Sequence, residues 1–182
     1  GSHEYPEPVP GSQTARVVNP SQVLRGEVDP GKKAVVYENS GHSEGPSVAD
    51  FLGEKGVQVE LVTSQMNIGM RWGMDIGILA TQNPFMWQRL RKNKVNVTRL
   101  TRIKQISGRT VTLIDVWSGE ERTVDDVDTV VMATGYLPDN ALYKSLRDNP
   151  NGPSELYVIG DSAAPRRSLD AIHNAYLTAF YV

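Results

Sequence analysis

Three short stretches combine residue types that could hold a nucleotide. The first is Asn39-Ser40-Gly41-His42-Ser43-Glu44-Gly45-Pro46. Glycines between a strand and a helix permit a tight turn and let backbone N–H groups approach a phosphate. A dinucleotide fingerprint asks for G-x-G-x-x-G and for an acid about twenty residues further on. Here Asn39 stands at the first glycine position, Gly41 fits the second, and Gly45 falls one residue late. Glu44 sets a negative charge beside any phosphate. The next strand ends Leu61-Val62-Thr63-Ser64, with no acid for a ribose 2′-hydroxyl, and Glu60 comes too early. The turn reads as a degraded fingerprint. The second stretch is Thr129-Val130-Val131-Met132-Ala133-Thr134-Gly135, a buried-type strand ending in small residues where a backbone can pass close to a cofactor. The third is Leu156-Tyr157-Val158-Ile159-Gly160-Asp161, whose acid can accept hydrogen bonds from sugar or ribityl hydroxyls.

The elements that must position these residues follow from pattern. Ala34 to Tyr37 is a short apolar run suited to a buried parallel strand. Pro46 suits a first helical position, Val48, Ala49, Leu52 and Lys55 follow at helical spacing, and Gly56 is placed to end the helix. Val57 to Val62 makes a second strand, completing a βαβ unit. Phe85 to Asn93 predicts a helix and Val95 to Leu100 a strand. Ile103–Ile106, Thr110–Trp117 and Glu121–Val124 predict a β-meander turning at Ser107-Gly108 and Ser118-Gly119. Val127 to Met132 predicts another parallel strand, Glu155 to Ile159 a last one, and a helix starts near Ser168. Between Gln65 and Pro84, Gly69, Gly73 and Gly77 recur every fourth residue, as do Met66, Met70 and Met74. That segment is either a lid over a cofactor cleft or a packed surface loop. Residues 4–32, rich in proline and glycine, read as an extended linker outside the core, with one short turn at Ser21–Leu24.

Composition narrows the function classes. The chain has 182 residues, 39% of them hydrophobic, and a net charge of −2. That charge makes no case for nucleic acid or an anionic membrane. There is no cysteine, which excludes disulfides, thiolate catalysis and iron–sulfur ligation within this stretch. No apolar run approaches the ~20 residues of a membrane span. A cytoplasmic location is expected. Gly1-Ser2-His3 resembles a scar left at an expression tag, and the chain, without an initiator Met, reads as a piece of a longer protein. His42, His173 and the pair Arg166-Arg167 read as solvated residues, and Trp72, Trp87 and Trp117 as packing residues. No catalytic triad and no metal-ligand cluster stands out.

The order and spacing of the three stretches resemble the two-dinucleotide-binding-domain flavoproteins. Within them the chain is similar to the C-terminal part of the NADH:flavin oxidoreductases of the old yellow enzyme type: trimethylamine dehydrogenase, histamine dehydrogenase and 2,4-dienoyl-CoA reductase. The resemblance runs through Pro6-Glu7-Pro8-Val9-Pro10-Gly11, Val23-Leu24-Arg25-Gly26, Gly31 to Tyr37, Ala133 to Pro138 and Tyr157 to Arg166. It implies an α/β fold: a Rossmann-like NAD(P)-binding domain, parallel sheet plus β-meander, over 33–140, and a C-terminal remnant of an FAD-like domain over 141–182. Residues 1–32 would be tag scar and linker. It also implies an FMN-carrying barrel and an iron–sulfur cluster in a missing N-terminal part. By motif, Gly160 and Asp161 belong to an FAD or ADP site, and Gly41, Gly45 and Gly135 line an NAD(P)-like cleft. With Asn39, Thr63, Ala133 and Thr134 these make up the candidate cofactor-binding residues. The degraded glycine turn favours the amine dehydrogenase side of the group over the dienoyl-CoA reductases. The intact protein is expected to take up FAD or ADP and could take NAD(P)H and be a homo-oligomer. The piece by itself is expected to bind FAD poorly, if at all, and to turn over nothing. Three readings stay open: a nucleotide-binding portion of a flavin-dependent oxidoreductase, a vestigial domain kept for packing and assembly, or a free-standing NAD(P)-binding domain.

Overall fold

The computed structural model describes residues 1–69 and 76–182, and the side chains of all of these except 76–83. Residues 70–75, which include Trp72 and the centre of the Gly/Met segment expected as a lid or loop, lie outside the described residues. Two compact units are present: Pro6–Thr134, and Gly1–Tyr5 with Gly135–Val182. In chain order the elements are β1 (Ser2–Glu4), β2 (Val17–Val18), α1 (Pro20–Leu24), β3 (Lys33–Glu38), α2 (Glu44–Glu54), β4 (Gln58–Thr63), α3 (Ile76–Lys92), β5 (Asn96–Thr98), β6 (Thr101–Ser107), β7 (Thr110–Asp115), β8 (Glu121–Val124), β9 (Thr129–Ala133), β10 (Tyr136–Pro138), α4 (Ala141–Arg147) and α5 (Ser168–Tyr181).

The larger unit is built on a parallel sheet in the order β2-β9-β3-β4-β5. β3 is its centre, paired in parallel with both β4 and β9. Alternation along β3 splits the core in two. Ala34 and Val36 face a cluster with Val48, Ala49 and Leu52 of α2, while Val35 and Tyr37 face a second cluster with Ile103, Ile106, Val111 and Leu113. The sheet is therefore covered by helices on one side and by the antiparallel meander β6-β7-β8 on the other. Both faces of β3 are buried, which is why it reads as an unbroken apolar run. Gly108 and Gly119 turn the meander with positive φ angles of 56° and 72°. α2 ends with Gly56 at φ 82°, and the Val57 N–H donates back to the Leu52 carbonyl at 3.1 Å. Pro46 sits at the third rather than the first position of α2, where its missing N–H is still no loss.

The arm differs from the expected extended linker. Val17 and Val18 extend the parallel sheet beside β9. Asn19 caps α1 through a reciprocal pair of bonds with Gln22. Val9, Val18 and Val23 are buried. A segment dense in Pro and Gly can still be core when its few valines fall at the edge of a sheet. Its seat on the meander is tight: the Ile106 N–H donates to the Pro10 carbonyl at 2.8 Å, and a Cβ on Gly11 would lie 1.8 Å from the Ile106 carbonyl oxygen.

In the smaller unit β1 pairs antiparallel with β10. The run Glu155–Ile159, expected as a strand, forms none; Tyr157 and Ile159 are exposed. A strand is held by a ladder, and none of the described residues supplies one to this run. The helix α5 does begin at Ser168.

Gly11→Ala is expected to lower the unfolding free energy by ~2–4 kcal/mol, from left-handed strain plus overpacking against Ile106. Urea midpoints read this, and a change below ~0.5 kcal/mol, the scale of ordinary surface substitutions, would show that the arm is not seated there.

Candidate functional site

In an open parallel sheet, ligands bind outside the carboxyl ends of the strands, where the strand order reverses. Here that point is the crevice between β3 and β9. β3 delivers Glu38 and Asn39 to it, β9 delivers Ala133 and Thr134, β4 delivers Thr63, and the turn into α2 delivers Gly41 and Gly45. Six of the nine expected site residues therefore meet at one place in the larger unit. The remaining three, Gly135, Gly160 and Asp161, stand in the smaller unit.

At the start of α2 the chain packs closely against its own strand end. Glu38 continues the face of Ala34 and Val36, so its side chain points under the start of α2. It is fully buried. One carboxyl oxygen accepts the Gly41 N–H and lies 3.3 Å from the Ser40 hydroxyl, and Thr63 also hydrogen-bonds the group. The other oxygen, Oε2, has no hydrogen-bond partner among the described residues, and neither has the buried Oε2 of Glu44. Burial raises the Glu38 carboxyl above its ordinary value and the nearby Glu44 adds to this, against the lowering effect of the three hydrogen bonds. Gly45 performs the close approach that its position demands, but towards Glu38: a Cβ there would fall 2.5 Å from Glu38 Cγ and 3.5 Å from Ala133 Cβ. The Asn39 N–H donates to the Ala133 carbonyl at 3.2 Å and so carries the β3–β9 ladder past the strand end.

On the opposite face, the Tyr37 hydroxyl lies 3.5 Å from Glu7 Oε1, and burial followed by the Glu7 charge pushes the phenol up, so it stays a neutral donor. Asn39 Nδ2 donates to Glu7 Oε2 at 2.8 Å, and the Ser64 hydroxyl donates to Asn39 Oδ1. The Glu7 N–H donates to Thr134 Oγ1 at 3.0 Å. Asn39 and Thr134 are thus used in tying the arm to the sheet. Sequence reasoning passed over Glu38, Glu7, Tyr37 and Ser64. The signal for Glu38 was its place: an acid closing an apolar strand where the fingerprint runs directly into glycine.

Other expectations are placed as follows. Glu60 points towards Arg122 and Thr98. Trp87 packs on the helix-side core, but Trp117, expected to pack, is 79% exposed at the tip between β7 and β8. In the smaller unit Gly160 has φ 61°, and Asp161 accepts from the Ser2 hydroxyl at 3.2 Å and from the Arg166 N–H at 3.3 Å. The Gly135 carbonyl accepts the Tyr5 N–H at 2.9 Å. Among the described residues no cluster of three or more His, Cys, Asp or Glu could hold a metal ion, and no helix is long and apolar enough to cross a membrane.

No family model matches the chain. It is similar to N,N-dimethylglycine/sarcosine dehydrogenase of Chromohalobacter salexigens, 26% identical over an alignment of 189 positions that covers 87% of this chain and 26% of that protein. Among solved structures, histamine dehydrogenase from Rhizobium sp. 4-9 superposes with a TM-score of 0.85 at 22% identity, over 98% of this chain and 29% of that one. Thioredoxin reductase from Lactococcus lactis superposes with a TM-score of 0.69 at 15% identity, over 100% of this chain and 62% of that one. The chain spans between 26% and 29% of the length of the curated relatives it matches. The family resemblance read from the motifs holds, and the α/β, Rossmann-like fold class with it.

Because the Glu38 carboxyl is raised in the folded state, the fold binds its proton more tightly than the unfolded chain does. Stability is then fully present below the ordinary glutamate value of 4.5 and falls as pH rises through the higher folded value. Glu38→Gln is expected to remove that fall and to raise Tm at pH 8 by ~2–4 °C for each kcal/mol recovered. Melting curves from pH 4 to pH 8 read it, and an identical pH slope in both proteins would show that folding does not raise the Glu38 carboxyl.

Proposed function

We propose that this chain, a relative of the amine dehydrogenases just described, is the nucleotide-fold region of a flavin-dependent oxidoreductase of the amine dehydrogenase or enoate reductase type. By this reading FMN, an iron–sulfur cluster and the substrate chemistry belong to another part of a cytoplasmic protein. This region by itself turns over nothing. Within it the larger unit serves packing and assembly without a bound dinucleotide.

The occupied crevice supports the second half of that reading. A dinucleotide at a β3–β9 switch point needs its pyrophosphate on the turn N–H groups and the helix N-terminus. The residues present do not fit that group: the Gly41 N–H is taken by the Glu38 carboxyl, and Asn39 closes the ladder on Ala133. Two acids, Glu38 and Glu44, stand where a phosphate would need positive potential. The Gly160–Asp161 turn fits a flavin or ADP site better. Asp161 holds the Ser2 hydroxyl as it could hold a ribose or ribityl hydroxyl. Bound there, an adenine dinucleotide or ADP would be oriented by that carboxylate.

Isothermal titration of the 182-residue chain with NADH and NADPH is expected to give no binding heat up to millimolar cofactor. A saturable isotherm with either would overturn the cofactor-free reading of the larger unit.

A further inference from the structure

A glycine turn that has lost its ligand should either open or fill. Here it is filled by one group, and that group resembles the ligand it replaces. A carboxyl offers acceptor oxygens on a planar centre, as a phosphate offers them on a tetrahedral one. Glu38 presents one oxygen to the Gly41 N–H, the donor that the second fingerprint glycine would offer a phosphate. It draws two further hydrogen bonds, from the side chains of Ser40 and Thr63. Gly41 keeps a left-handed φ of 75°, and Gly45 keeps the close helix–strand approach, so the cradle retains the shape of a phosphate turn. α2 runs eleven residues, and no side chain caps its first turn, where N–H groups need an acceptor. The second Glu38 oxygen, on a fully buried side chain whose stem packs against Gly45, has no hydrogen-bond partner among the described residues. A carboxyl that satisfied its surroundings completely would be plain core. One that leaves an oxygen unused in a polar cradle is a substitute occupant.

We propose that Glu38 is an intramolecular stand-in for phosphate, and that the turn from Asn39 to Gly45 is an anion site for a pyrophosphate-bearing nucleotide that this one side chain keeps shut. The inference rests on the cofactor-free reading above and goes further, because it states what the cradle would bind once emptied. Removing the carboxyl frees the Gly41 N–H and the Ser40 and Thr63 hydroxyls. It also clears the space beside Gly45 that the Glu38 stem fills. Glu44 remains as a like charge at the mouth, so the opened site is weaker with it than without it.

The test uses the full chain and inorganic pyrophosphate as the probe, followed by amide NMR and titration calorimetry. The unsubstituted chain is expected to leave the Gly41 amide unmoved by pyrophosphate. In Glu38→Ala the Gly41 amide is expected to shift on adding pyrophosphate, with affinity at least about tenfold above the unsubstituted chain, the scale of one charge-assisted hydrogen bond. Glu38→Ala with Glu44→Gln is expected to bind more tightly again. A folded Glu38→Ala whose Gly41 amide ignores pyrophosphate overturns the proposal. Should Glu38→Ala not fold, the unsubstituted chain still decides. Its Gly41 amide must track the Glu38 side-chain carboxyl carbon through one shared titration, and independent behaviour of the two overturns the proposal. NADH binding by the unsubstituted chain is a separate result: it removes the cofactor-free reading, whereas an unresponsive Glu38→Ala removes only the stand-in.

Discussion

The buried carboxyl of Glu38 is the constraint around which the larger unit's switch point is arranged. It ends the central strand, it is held by the Gly41 N–H and by Ser40 and Thr63, and the backbone of α2 rests on it at Gly45. An acid in that position is costly to bury in its charged form. It persists because donors meet one of its oxygens. The surrounding residues follow from this choice. Gly45 must be glycine because the Glu38 stem occupies the space above it. Asn39 joins the β3–β9 ladder through its N–H to the Ala133 carbonyl.

β3 makes the consequence unit-wide. Its even residues face α2 and its odd residues face the meander, so Glu38 and Tyr37 carry the strand's end to opposite sides. On one side Glu38 shuts the glycine turn. On the other, Tyr37 and Asn39 meet Glu7 of the arm. The strand end thereby joins arm, sheet and helix. The chain spans about a quarter of the length of these longer relatives.

Much of the frame was legible in the sequence, and particular residues show why. Ala34–Tyr37 and Val130–Met132 are continuous apolar runs, which only a strand buried on both faces tolerates. Gly108 and Gly119 marked the meander turns because a tight hairpin needs positive φ. The degraded fingerprint was visible at Asn39 and Glu44. Its cause was not, because a Glu at a strand end is ambiguous by itself: facing water it is surface, and facing inward it is the occupant of the site. Only the register of β3, which places Glu38 on the α2 face, decides between the two. The arm was misjudged for a related reason. Pro and Gly density describes backbone stiffness, whereas Val9, Val18 and Val23 are buried, Val18 beside β9 more than a hundred positions away. Leu156–Ile159 has the pattern of a strand, and pattern alone does not supply the neighbour that a ladder requires.

The most direct measurement is a crystal structure of the chain grown with saturating NADH. The account predicts the Glu38 carboxyl on the Gly41 N–H, the Asn39–Ala133 bond intact, and no pyrophosphate on the first turn of α2. A pyrophosphate seated on Gly41 and the start of α2, with the Glu38 side chain displaced, would contradict it.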